Sequence, residues 1–493
     1  MQDSEKKELA KILKREMKKL TDLTENYASK DVAIHEMEMN YLRTVLSLCY
    51  NLLSFLIALK VEQKRDKKPL HPEGKRGEKK GWQTRIYMSL FGKLEFSRPS
   101  YWVESIGKIY VVDEDLCFPP DMLSYNLQEL LGSNGSEVDY RESVRLINDL
   151  LGLSISGKAS ERNVNRLGQY GDAYYEQKKV VPIESPRHFS ASFDGKGVPK
   201  IKKKKATEPS RLKRLGKGEK RGIMEMATVS VTSNFEPRQR SVESVLKGLM
   251  GSPLSKVEED EKAIKVQPTN GWHQDVHRRA FLGNQAKSID YGIKHIKDRI
   301  VHPDSRFVVP IDAGIGLEDK VLAAVEKYNL NQQFDGIILD IIHVSEYVWT
   351  AANAIFGETS KVRSAWVREM LEDLLNSKTT KVIEDLEKIV VKGKLSKNKI
   401  SKVQKTITYF NNHQHKMDYK KFIEKGYPVS SALVESACGH LVKERMEQSG
   451  MRWSSSGAQH IMDIRAIKQN DDLVDFMDFV RRKDRQRSTK MVA

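Results

Sequence analysis

RFVVPIDAGIGLEDKVLAAVEKY, residues 306–328, decides the fold. Its first six residues form a continuous apolar run, as expected of a central strand covered on both faces. Asp312 ends that run, Gly314 and Gly316 leave the chain free to turn, and Glu318–Tyr328 has helical spacing. An acid at the carboxyl end of such a strand lies where open α/β sheets place their sites. The competing reading is an Asp that only forms the turn.

Working outward, HFSASFD (188–194) alternates Phe189, Ala191 and Phe193 with His188, Ser190, Ser192 and Asp194. A strand here buries the first set and carries Asp194 on its polar face. KIKKKKATEPSRLKRLGKGEKRG follows, and MEMATVSVTSNF then alternates again, which predicts a long basic hairpin loop beside the first acid. Its Lys202, Lys203, Lys204, Lys205, Arg211 and Arg214 are candidates for clamping phosphates, although charge runs are commonly just solvated. FDGIILDIIHVSEYVW adds a strand through Ile337–Leu339 that ends in Asp340, then a helix with His343 and Glu346. Asp340 and His343 read as a helix cap plus a satisfied imidazole, or as auxiliary metal ligands. Residues 351–425 are helical and charged, an all-α insertion between two pieces of one site.

In SSALVESACGHLVKERMEQSGMRWSS (430–455), a helix over 431–447 places Glu435 with Ser431, Ala432, Cys438, Gly439 and Val442. These small neighbours let the helix approach the sheet closely. Lys443, Arg445, Arg452 and Trp453 continue past it, a set suited to phosphates and to stacking on a splayed base, with buried packing as the alternative for Trp453.

The surplus of basic residues, 84 Lys and Arg against 67 Asp and Glu in 493, points to a polyanionic partner, nucleic acid rather than membrane. The uncharged run Thr44–Leu59 is interrupted by Ser47, Asn51 and Ser54 and reads as a buried helix. The amino terminus has no apolar core of the signal-peptide kind, so a cytoplasmic protein acting on DNA is expected. Cys49, Cys117 and Cys438 are far apart and form neither a disulfide framework nor a thiolate zinc site.

The expected regions are 1–63, a helical arm or oligomerising hairpin; 64–123, a basic linker and small β unit with a turn at Phe91 and Gly92; and 124–185, helix-turn-helix-like. In the last, Tyr140–Leu151 ends at Gly152, Ser156 opens the next helix, and Lys158, Arg162 and Arg166 are offered to DNA. The catalytic domain then runs over 186–350 and 426–493, on either side of the insertion.

SFDGKGVP, VVPIDAG, LDIIHVSEYVW and SALVESACGHLVKERMEQSGMRWSSSGAQHIMDIRA together resemble the Kra-type insertion-sequence transposases, members of the DDE group. The resemblance runs from about Leu90 to Asn470 and implies a ribonuclease-H-like α/β core, a mixed sheet flanked by helices. It carries the catalytic and metal-binding triad onto Asp194, Asp312 and Glu435. It also implies two Mg²⁺ or Mn²⁺ ions per site, double-stranded DNA (terminal inverted repeats and target) as substrate, and a homo-oligomeric synaptic complex. Readings from other classes are a catalytically silent or domesticated DNA-binding regulator and a stand-alone ribonuclease-H-like nuclease.

Overall fold

The computed structural model describes residues 3–69, 77–104, 107–201, 223–251, 272–392 and 395–490. The chain divides into two compact units, Met1–Gln177 with Asp463–Ala493, and Lys178–Met462. The expected last segment, 426–493, is therefore split, because Asp463 onward packs with the amino-terminal unit.

In the first unit, α1 (Asp3–Ala28) and α2 (Ile34–Gln63) form the expected hairpin. Glu16 is fully buried, accepting from Arg15 Nε at 2.9 Å, Lys19 Nζ at 2.8 Å and Asn51 Nδ2 at 3.2 Å. The expectation that Thr44–Leu59 is buried fails. Within α2 only Ile57 and Val61 are buried, against Leu94 and Val112, while Val45 and Leu56 are exposed. By length and composition this helix is long and apolar enough to cross a membrane.

β1 (Glu78–Ser89), β2 (Gly92–Val103) and β3 (Gly107–Ile109) make an antiparallel sheet. The turn is Leu90–Phe91, one residue earlier than expected, since Gly92 already pairs with Ser89. Val111 and Val112 open α3 (Val111–Asp115) instead of extending the strand.

Three helices follow: α4 (Tyr125–Glu137), α5 (Tyr140–Leu151) and α6 (Gly157–Gly168). The predicted punctuation holds. Gly152 adopts φ 66° after α5, and the Ser156 hydroxyl accepts from Ala159 N at 3.2 Å. Arg166 is not available to DNA, because its guanidinium bonds Gln128 Oε1 at 2.6 Å and pairs with buried Asp484. Asp484 also accepts from Tyr170 (2.7 Å) and Tyr125 (3.1 Å). α7 (Gly171–Gln177) closes this stretch.

The second unit carries a five-stranded mixed sheet ordered β6-β5-β4-β7-β8. Its strands are β4 (His188–Lys200), β5 (Ile223–Phe235), β6 (His273–Leu282), β7 (Arg306–Ile311) and β8 (Phe334–Leu339). β4, β5 and β6 are antiparallel, whereas β7 and β8 run parallel to β4. This mixed sheet, flanked by helices, is compatible with the core implied by the resemblance. α8 (Val242–Met250) lies between β5 and β6.

One face packs Phe189, Phe193 and Val309 on Ile289, Ile293 and Ile296 of α9 (Gln285–Arg299) and Val321 of α10 (Leu317–Lys327). The other face packs Val308 and Ile338 on α11 (Ile341–Phe356), α12 (Val362–Leu375), α13 (Thr379–Val391), α14 (Lys397–His413) and α15 (Tyr419–Glu424). Ser190 and Ser192 are buried too, so the side of β4 expected to be polar and open is covered. The β4–β5 pairing extends to Lys200 and Ile223, as expected for a hairpin. The basic residues Lys202, Lys203, Lys204, Lys205, Arg211 and Arg214 lie outside the described residues.

α9 crosses the sheet at Gly292, where a Cβ would meet Ser230 Oγ at 2.5 Å and Phe193 Cε1 at 2.7 Å. Gly292→Val should destabilise this unit by about 1–3 kcal/mol through overpacking, read as a lowered unfolding midpoint.

Candidate active site

The register of the three parallel strands aligns Phe193 with Ile311 and Ile311 with Leu339. The next residue on each is an aspartate: Asp194, Asp312 and Asp340. Neighbouring strands lie about 4.8 Å apart, so the three acids form a row across the carboxyl ends of β7 and β8 and the matching point of β4. Phe193 turns into the apolar cluster of α9, which by alternation sends Asp194 to the opposite face. Asp312 Oδ1 accepts from Gly314 N at 3.0 Å, the same oxygen a Cβ on Gly314 would approach to 3.0 Å.

Asp340 is the N-cap of α11, accepting from Ile342 N at 2.8 Å, so the capping reading holds. It is fully buried, and its other oxygen accepts from Ser431 N at 3.2 Å and from the Ser431 hydroxyl. That clasp seats the start of α16 (Ala432–Ala437), which packs on β4 and β5 and carries Glu435. One turn on, burial and then the Asp194 carboxylate raise the pKa of the Cys438 thiol, and the same carboxylate acts on Glu435.

The helix is not regular over 431–447 as expected. Cys438–Lys443 is a π-helical turn, followed by α17 (Glu444–Met446). Wider turns of this kind occur mostly as single insertions, frequently at functional sites.

One ligand atom each from Asp340, His343 and Glu435 lies within 4.8 Å of the other two. His343 Nε2 is 3.5 Å from Glu435 Oε1 and its Nδ1 is 3.5 Å from Glu346 Oε2. Glu435 Oε1 is buried without a hydrogen-bond donor. Among the described residues, Asp194, Asp312, Asp340, Glu346 and Glu435 form no ion pair with Lys or Arg. Burial first, then the charges of Asp340, Asp194 and Glu346, hold the Glu435 carboxyl above its usual range, with His343 opposing. Burial acts to lower the His343 pKa, but Asp340, Glu435 and Glu346 outweigh it and the pKa is raised. A crowd of carboxylates with an orphaned oxygen and one imidazole is a donor set that fits a divalent cation. Of the triad assigned from sequence, Asp194 acts on Glu435 and Asp312 lies in register beside Asp194 and Asp340, while both aspartates stand outside the closest group of Asp340, His343 and Glu435.

Two candidate DNA contacts are corrected. Arg445 is fully buried with its guanidinium 4.8 Å from the Trp453 ring centre. Trp453 is itself buried, donating from Nε1 to Met446 O at 3.1 Å and from its backbone N to Pro199 O at 3.0 Å. The pair anchors the end of β4 at Pro199 and Lys200, because a guanidinium on an indole face is favourable once water is excluded. Lys443 and Arg452 are exposed. Sequence reasoning missed the Ser431 clasp and the π turn, since neither alters apolar periodicity.

No protein-family model matches the chain, and no curated protein matches it. Solved structures similar to it include the Drosophila P element transposase strand transfer complex, at 9% identity and a TM-score of 0.33, covering 71% of this chain and 93% of that one. The chemistry therefore stands on the site's own residues.

Because the folded carboxyl of Glu435 is raised above its unfolded value, ionising it opposes folding. The stability it contributes is full below the ordinary Glu range and is lost as pH rises through the raised pKa. In metal-free buffer at neutral pH, Glu435→Gln should raise the unfolding midpoint, with the gain shrinking as pH falls below that range. Added Mg²⁺ or Mn²⁺ should stabilise the parent and leave the variant nearly unmoved. A thermal-shift series over pH and metal reads both effects.

Proposed function

We propose that the chain is a DNA transposase of the DDE type, which binds the ends of a mobile element, cuts them, and joins the freed 3′ end to target DNA. The observation that supports this reading is the aspartate row at β4 and at the ends of β7 and β8, with Asp194 and Asp340 acting on Glu435 of α16. Asp194, Asp312 and Glu435 would hold two Mg²⁺ or Mn²⁺ ions. Bound there, such ions activate water or a 3′-hydroxyl and stabilise the leaving oxygen of an in-line phosphoryl transfer.

The remaining work belongs to the chain. Asp194 sits at a paired strand position and Asp312 directly follows β7 with its carboxylate held by Gly314 N, so little reorganisation is needed when the scissile phosphate arrives. Asp340 is occupied by the α11 cap and by Ser431, which makes it a positioning residue that holds the Glu435 helix in place. The Cys438 thiol is held far above its usual range by burial and by Asp194, so it stays protonated and is no nucleophile. Displacement by water or a 3′-hydroxyl requires no covalent enzyme intermediate. The partners are double-stranded element ends and target DNA, with two ends synapsed by a homo-oligomer.

Incubation of the purified chain with Mg²⁺ and labelled DNA carrying candidate ends should give both cut and joined products. Cutting of unrelated DNA without joining would favour a nuclease instead. Asp194→Asn, Asp312→Asn and Glu435→Gln should each lower cleavage by roughly a thousandfold or more, as expected when a metal clamp worth several kcal/mol is lost, while end binding persists. A variant that cleaves at the parental rate removes its residue from the triad.

A further inference from the structure

We propose that the groove between α11 and α14 is the track along which a single DNA strand enters the carboxylate cluster. This rests on the functional reading above and adds a binding site to it. The groove has a volume of about 610 Å³ and is lined by Tyr347 of α11 and by Lys397, Ser401, Lys405, Tyr409 and Asn412 of α14. That volume falls in the range of clefts that hold a small organic group, such as one nucleotide.

Position along α11 links the groove to the site. Asp340, His343 and Glu346 occupy the first turns of the helix, and Tyr347 is the next residue. Tyr347 stacks on Tyr409 at 3.8 Å with 12° between the rings, and Thr406 Oγ1 donates to Tyr347 O at 3.2 Å, tying the two helices together. Burial first, then the charges of Tyr347, Asp312, Asp340 and Glu346, hold the Tyr409 hydroxyl above its usual range. Just past its far end, α14 is pinned to α10, the helix that follows Asp312 in the chain. Glu318 of α10 meets Lys416 Nζ at 2.5 Å and His415 Nε2 at 2.9 Å.

The chemistry of the lining identifies the occupant. Lys397, Ser401, Lys405, Thr408 and Asn412 recur at helical spacing along the exposed side of α14. Among the described residues neither Lys397 nor Lys405 is held in an ion pair. His413 Nδ1, at the Tyr409 end, is buried with no hydrogen-bond partner. A lysine track ending at an aromatic pair is the arrangement that binds single strands, with cations on phosphates and rings on bases. An anionic strand also has reason to follow it, since the lysines offset the repulsion of the acids ahead.

The test is fluorescence anisotropy with the full chain in EDTA, using a blunt duplex and the same duplex with a single-stranded 3′ overhang. Lys397→Glu with Lys405→Glu should weaken overhang binding at least about tenfold and reduce the log–log salt slope by about 1.4 to 1.8, the value for two lost phosphate contacts. Tyr409→Leu should weaken the overhang probe about tenfold and leave the blunt duplex unchanged. Tyr409→Phe, which keeps the ring, should bind like the parent and guards against simple misfolding.

Parental affinity and slope in the lysine variant overturn the proposal, as does equal loss on both probes with an unchanged slope. If the lysine variant binds normally while Asp194→Asn abolishes cleavage, the groove is wrong and the functional reading stands. If Asp194→Asn and Glu435→Gln cleave normally, the functional reading fails whatever the groove does. A parent chain that binds neither probe removes both.

Discussion

Backbone pairing between β4, β7 and β8 is the constraint on which the rest of the site depends. Side chains alternate with a period of two, so a slip of β7 by one residue would carry Ile311 out of the α9 cluster and exchange the positions of Asp312 and its apolar neighbours. The apolar residues preceding each aspartate hold that register, and so the carboxylates need no direct support from one another. On β4 and β7, hydrophobic burial on one face thereby positions charge on the other, in a place where charge alone would be repelled.

Much of the sheet was legible in the sequence because its residues obey simple periods. RFVVPI reads as a doubly covered strand and is one, and the alternation of HFSASFD is that of β4, even though Ser190 and Ser192 turned out buried. The caps at Gly152, Ser156 and Asp340 were legible for a similar local reason, since each satisfies a backbone group within a few residues. What stayed hidden was non-local. Ser431 reaches Asp340 across 91 residues, and nothing near either residue announces it.

Basic and aromatic residues were the least reliable guide. Arg166, Arg445 and Trp453 each have the composition of a DNA contact, yet each is absorbed in packing, where an Arg finds a carboxylate or an indole face. By contrast, the lysines of α14 drew no notice in a uniformly charged segment and gain meaning only from where α14 lies. A buried ion pair and an open phosphate contact demand the same residue type; burial alone separates them.

The clasp between Asp340 and Ser431 also has a temporal side. It joins residues 91 positions apart, and closing so long a loop is slow compared with forming the helices inside it. During synthesis the aspartate row is complete long before Glu435 has been made. A growing chain therefore lacks Glu435 until the α-helical layer is in place, and the carboxylate cluster is complete only in the finished fold.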